Sequence, residues 1–317
     1  MRQDEIDEIR SCILTDKTKF HYFKDRYALM LLAWVAKDGV AVGNVKRSRF
    51  GRLMQKRIPR EVASRAPNGL LTRTSLESFW PQQTEVYLLT LGQWGETGAW
   101  CRNWQQTSRP GLNLVLHVNF SNKHNAPYRK LMRGNDCHPF RCHFHPNAPE
   151  GHFTLAWARF DVDLKGGEAI IEEIQNDWLR NAQSELNWLQ TLSAGRAEEI
   201  LKRQYGEPSF TVEQLKSYID QVLGPHQRIW DEATLAASLW VLRDVIGIRR
   251  VYYHTFEGGN RLKRLTRDRP PRSLYSTLPK RFCFDQTSRQ PKMLVDCRHR
   301  RVRRELRLSP PRWFIFE

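Results

Sequence analysis

The run Glu172-Glu173-Ile174-Gln175-Asn176-Asp177-Trp178 carries the strongest chemical signal in the chain. On a strand, side chains alternate between faces. Glu173, Gln175 and Asp177 would then share one face with Ile171, and Ile170, Ile174 and Trp178 would take the other. Two carboxylates and an amide in a row are costly to bury without a purpose. They suit a hard cation or a hydrogen-bonding ligand. Asn176 or Asp177 equally suits the N-cap of a helix that follows. His254 closes the strand expected over 248–255 and precedes Gly258-Gly259-Asn260 and Lys263. Strand ends followed by glycine loops are where α/β proteins place ligands. Glu173, Gln175, Asp177 and His254 are therefore the candidate catalytic residues.

Two further groups have metal-ligand chemistry. Asp161 and Asp163 lie on the strand before Glu173-x-Gln175, and carboxylates set across a hairpin are how many nucleases hold Mg²⁺ or Mn²⁺. Gln175 stands where such sites usually carry a lysine that orients the water. Cys137, Cys142, His143 and His145 are zinc-ligand types within nine residues. Their Cys-x4-Cys spacing is answered by no second Cys or His pair, and a polar loop is the alternative. The chain has no G-x-x-x-x-G-K-[ST], no G-x-G-x-x-G after a strand, no H-E-x-x-H and no G-x-S-x-G.

The elements that must position these residues follow from periodicity. Helical spacing marks 3–14, 20–37 and a basic stretch over 45–57. With the turn at Gly43-Asn44, the last two have the outline of a helix-turn-helix. Strands are expected over 86–91 and 112–120, with a loop that buries aromatics over 92–104. A hairpin over 152–164 and 168–177 turns at Lys165-Gly166-Gly167. Helices follow over 178–192, 197–205, 211–223 and 232–246, then the strand at 248–255, a short helix over 273–281 and a last strand entered at 281–284. The expected fold is α+β, a central, mostly antiparallel mixed sheet flanked by helices. The expected divisions are a helical basic N-terminal region (1–80), a core domain (81–290) and a basic C-terminal tail (291–317).

The 317 residues include 51 Lys and Arg against 34 Asp and Glu, a formal charge of +17. Between Arg261 and Arg312 there are 17 basic and 4 acidic residues, so most of the excess sits near the C-terminus. A second block, Lys46 to Arg60, has seven basic residues and no acid. Concentrated cations release counterions from a polyphosphate, so nucleic acid is the expected partner. The candidate contacts are Arg47, Arg49, Arg52, Lys56, Lys263, Arg300, Arg301, Arg303 and Arg304. No apolar run reaches the ~18 residues that span a bilayer. No membrane partner is expected, and the N-terminus lacks an apolar signal segment. Six cysteines suit a reduced, cytoplasmic setting.

The run Glu168 to Trp178 resembles the E-E-I-Q-S-D-W signature of a module in the large polyvalent proteins of phages and mobile elements, over roughly residues 152–285. Here Asn176 replaces the serine, and Leu179-Arg180 stand where the module tends to have His-Gln. The element order is also similar to that of the GNAT acyltransferases: hairpin, helix, strand, a helix beginning Leu274-Tyr275, and a strand near Phe282-Cys283-Phe284. The Q/R-x-x-G-x-G/A loop that holds CoA phosphates in that family is missing. These resemblances imply a mobile-element protein with a GNAT-like domain, in which Glu173 would serve as general base toward an amine. A metal-dependent nuclease and a non-enzymatic nucleic-acid binder are the alternatives. Acyl-CoA, Mg²⁺ or Mn²⁺, and Zn²⁺ are the cofactors these readings imply. Substrate and oligomeric state are not readable.

Overall fold

The computed structural model describes residues 1–13, 18–37, 39–95, 106–135, 137–149, 151–207, 209–266 and 269–317. Its centre is a mixed sheet built from eight of ten strands, flanked by helices. The strands are β1 (Lys19–Tyr22), β2 (Val40–Ala41), β3 (Leu70–Leu71), β4 (Glu85–Trp94), β5 (Asn113–Phe120), β6 (Thr154–Asp163), β7 (Glu168–Gln175), β8 (Arg250–His254), β9 (Asp285–Thr287) and β10 (Trp313–Phe316). The order across the large sheet is β1-β4-β5-β6-β7-β8-β10-β9, and β2 pairs with β3 apart from it. Among the described residues only β7 and β8 run parallel.

The hairpin of β6 and β7 forms where alternation and the glycine turn predict it. Asp163 closes the turn by accepting from the Gly166 N–H at 3.0 Å. A Cβ at Gly166 would collide with that carboxylate, and Gly167 sits at φ +62°. The crossover from β7 to β8 runs through helices Trp178–Leu189, Ala194–Tyr205 and Trp230–Trp240. The last of these lies against β5, β6 and β7, with Glu232 to Leu239 buried. Thr234 and Ser238 tolerate that burial by donating to the carbonyls of Trp230 and Thr234, at 2.6 and 2.7 Å.

Three expectations are corrected. The helix-turn-helix outline breaks up: residues 19–22 are strand β1, and the basic stretch splits into a helix at Val42–Arg47, a 3₁₀ turn at Gly51–Gln55 and a helix at Arg57–Ser64. The C-terminal segment is no tail. It folds into the helix Arg300–Leu308 and strand β10, whose Trp313-Phe314-Ile315-Phe316 are all buried between β8 and β9. The last strand expected at 281–284 is displaced to β9. The segments on both sides of residues 81–290 thus lend strands to one sheet. The expected aromatic loop at 92–104 lies mostly outside the described residues. Among the described residues, no helix is long and apolar enough to cross a membrane.

Candidate functional site at the parting of β7 and β8

β7 and β8 pair from Glu168–Arg250 to Ile171–Tyr253 and then separate. On its other side β7 carries a bulge. Arg159 of β6 pairs with Glu173 and Phe160 with Ile171, so Glu172 is the extra residue. The bulge reverses part of the predicted face assignment. Ile171 joins the large core with Ile174, whereas Ile170 packs with Tyr252, Trp313 and Ile315 in a smaller cluster on the opposite face.

Glu172 and His254 fill the wedge between the strands and are fully buried. Glu172 accepts from the Ser108 N–H at 3.0 Å, the Ser108 hydroxyl at 2.8 Å and His254 Nε2 at 3.1 Å. Lys263 Nζ donates to the Glu172 carbonyl at 2.7 Å. Burial pushes the Glu172 carboxyl up, but the His254 hydrogen bond, the Lys263 charge and the Ser108 N–H outweigh it and hold it down to about 2. Burial lowers the His254 pKa, against the opposing pull of the Glu172 carboxylate. Serine, histidine and glutamate make the composition of a hydrolase triad, but both partners of His254 face the same nitrogen. Among the described residues Nδ1 has no partner, so no proton relay runs through the ring. Nothing in the sequence marks Ser108 as a member of this group.

Glu173 pairs with Arg159, and both are buried. Burial raises the Glu173 pKa, but Arg159 and then Lys263 overcome it and leave the carboxyl below its ordinary range. A general base works best with a pKa near the operating pH. Glu173 is therefore tuned to hold a hydrogen-bond donor, not to accept its proton.

Glu173 also borders a cavity of about 770 Å³ at the C-terminal end of β7. Ile174, Gln175 and Asn176 continue its wall, and the first turns of Trp178–Leu189 supply Leu179, Arg180 and Gln183. Trp230 and Leu274 give it apolar surface, and Arg269 a second cation. Asn176 Oδ1 caps the helix by accepting from the Leu179 N–H at 2.9 Å, while its buried Nδ2 has no partner among the described residues. An equally large groove borders Leu189, Leu201 and Phe210, far in sequence from the ionised network and lined by none of its members.

Beside the cavity, Asp177 joins four side chains. Trp157 Nε1 donates to its Oδ2 at 3.0 Å, Gln175 Nε2 to its Oδ1 at 2.7 Å, and Arg180 to Oδ1 at 2.6 Å. His145 Nδ1 lies 2.9 and 3.0 Å from the two oxygens. Burial raises the Asp177 pKa, but hydrogen bonds from His145 and Trp157 prevail and lower it. Cys142, His145 and Asp177 place their ligand atoms within 4.8 Å of one another.

The structure thus gathers Glu173, Gln175 and His145 around one cavity, with Asp177 beside it bonded to Gln175 and His145, and sets His254 in the buried wedge between the strands. Asp161 and Asp163 do not join them. Asp161 is held by Arg109 at 2.5 and 2.9 Å and lies near the N-terminal amine, and Asp163 closes its turn. The hairpin carboxylates therefore form no cation site with Glu173. Cys137 and His143 are exposed and stand outside the Cys142–His145 group.

The basic residues divide as well. Lys263 is buried on Glu172, which removes it from the surface set. Arg49 pairs with Asp285 at 2.7 Å and Lys56 with Asp25 at 3.1 Å, while Arg52 donates to the Lys280 carbonyl at 2.8 Å. Arg47 is exposed and bonds Asn44. Arg301 is half-buried and donates to the Leu262 carbonyl at 2.6 Å. Arg300, Arg303, Arg304 and Arg307 are exposed on one helix, whose Val302 and Leu306 pack inward.

No family model, curated protein or solved structure matches the chain.

Proposed function

We propose that the protein is an acyltransferase-like enzyme that works in association with nucleic acid and belongs with mobile-element proteins. The observation that carries the enzymatic part is the cavity at the C-terminal end of β7, which is paired in parallel with β8. Such strand ends in α/β sheets are where ligands bind. An acyl-carrying anion would meet Arg180, Arg269 and the free amide of Asn176, side chains that take the place of a glycine phosphate loop. Glu173 would hold the attacking amine through a charge-assisted hydrogen bond. Incubation with acetyl-CoA and a panel of primary amines should release free CoA thiol. Glu173→Gln should cut that release at least 100-fold while acetyl-CoA binding stays within a few-fold. Equal release by wild type and variant would overturn the assignment.

The nucleic-acid part rests on the helix Arg300–Leu308. Its i, i+4 pair Val302 and Leu306 fixes the helix to the sheet and turns four arginines outward. A cleft lined by Lys37, Arg73, Arg243, Arg249 and Arg250, against the acids Asp244 and Glu317, adds a net cationic surface. Each arginine on a phosphate adds about −0.9 to the slope of log K against log salt. Replacing Arg300, Arg303, Arg304 and Arg307 by glutamine should flatten the slope by about 3.6 and weaken DNA or RNA binding more than tenfold at low salt. An unchanged slope would remove this helix from the interface.

A further inference from the structure

We infer that Cys142, His145 and Asp177 form a three-ligand site for a borderline-soft divalent cation of the Zn²⁺ type, with an open coordination position toward the cavity. Thiolate, imidazole and carboxylate together are the donor set such a metal takes. With bonds of about 2.0–2.3 Å in tetrahedral geometry, the ligand atoms of such a site stand roughly 3.2–3.8 Å apart. The three atoms here already lie within 4.8 Å of one another, so no pair needs to close by more than about 1–1.6 Å.

The same distances decide against a cysteine–histidine–aspartate relay. In a relay the thiol and the carboxylate bind opposite ring nitrogens, which holds them about 7 Å apart across the imidazole. Here the thiol and the carboxylate lie on the same side of the ring, as two ligands of one ion do.

The surroundings fit a built site. Cys142 and His145 are the ends of one turn, closed by the His145 N–H on the Cys142 carbonyl at 3.3 Å. Asn147 Nδ2 pins that turn by donating to both carbonyls, at 2.8 and 2.9 Å. Trp157 and Gln175 orient the Asp177 carboxylate, as outer-shell donors do around metal ligands. In the metal-free arrangement the His145 ring and the Arg180 guanidinium both contact the Asp177 carboxylate. Binding would displace the cysteine thiol proton and one of these contacts. His145 lines the cavity beside Gln175, which gives the fourth position its access.

The test is a titration of the metal-free full chain with Co²⁺, followed by Zn²⁺ competition. Wild type should bind one Co²⁺ with a thiolate-to-metal charge-transfer band, which Zn²⁺ abolishes. Cys142→Ser should lose the band, and His145→Ala should weaken binding at least tenfold. His143→Ala, an exposed neighbour outside the cluster, should bind like wild type. Arg180→Ala should bind several-fold tighter, because a cation that competes for Asp177 is gone. Absence of a thiolate band in wild type, or an undiminished band in Cys142→Ser, would overturn the site. A tenfold loss in His143→Ala would do the same, by moving the ligand set. Circular dichroism of each variant separates lost ligation from lost folding. Acetyl-CoA binding is scored independently, so either result leaves the acyltransferase assignment to its own test.

Discussion

Lowering the pH from 7 to 5 should remove several kcal/mol of folding stability, a large part of the ~5–15 kcal/mol that typically holds a domain folded. The cause is three buried neutral histidines. Burial pulls His117 down to about 4, His124 to about 3 and His226 to about 4, from an ordinary value of 6.5. Below pH 6.5 the unfolded chain takes up these protons and the native state does not. Stability is therefore fully present above 6.5 and falls as the pH drops toward the native values, at about 2 kcal/mol per histidine by pH 5.

The geometry explains why the folded protein refuses the protons. His117 Nε2 and His124 Nδ1 are buried without hydrogen-bond partners among the described residues, so a proton on either would add an unsatisfied donor as well as a charge. The His124 ring is stacked on Phe120 at 3.8 Å and holds the Tyr218 hydroxyl through Nε2 at 2.7 Å. His117 is locked by its neighbours, since a Cβ at Gly92 would come within 2.7 Å of its ring. Glu172 adds a later loss. With its native value at about 2, its contribution is present above 4.5 and disappears as the pH falls through 2. Urea midpoints at pH 7.5, 6 and 5 would measure the slope. Equal midpoints at all three would contradict the buried neutral histidines.

The second large effect is expected at the Arg159–Glu173 pair. Arg159→Met should cost about 3–5 kcal/mol and lower Tm by roughly 10 °C, because it leaves an ionised carboxylate buried and unpaired. Arg159 is 1% exposed and Glu173 5%. The double variant Arg159→Met/Glu173→Gln should recover most of the loss, since an amide costs far less to bury than a charge. A double variant no more stable than the single one would show that Arg159 matters for its other contacts, such as the Gln106 carbonyl at 3.0 Å.

The hairpin, the strand at His254 and the helix after Trp178 were readable because alternation, a Gly-Gly turn and helical spacing are local signals. The bulge at Glu172 was not readable. No residue type announces it, yet it transfers Ile171 to the large core. The C-terminal segment misleads through composition. Its arginines suggest a solvated tail, whereas Trp313-Phe314-Ile315-Phe316 is the short continuous apolar run of a strand buried on both faces. The burial of Lys263 and the role of Ser108 depend on partners 91 and 64 residues away, which no local pattern encodes. The Cys142–His145 pair stood out by type, but its third member, Asp177, arrives only through the register of β7 and the helix it leads into.

The most direct test of the proposed ligand site is calorimetric titration of the full chain with acetyl-CoA, beside Ser184→Trp and Arg269→Ala. Ser184 is an exposed residue on the cavity wall, so tryptophan there fills the space without touching the ionised network. Saturable one-to-one binding should fall at least tenfold in Ser184→Trp and several-fold in Arg269→Ala. Wild type that does not bind, or binding unchanged by both substitutions, would contradict a ligand site at the parting of β7 and β8.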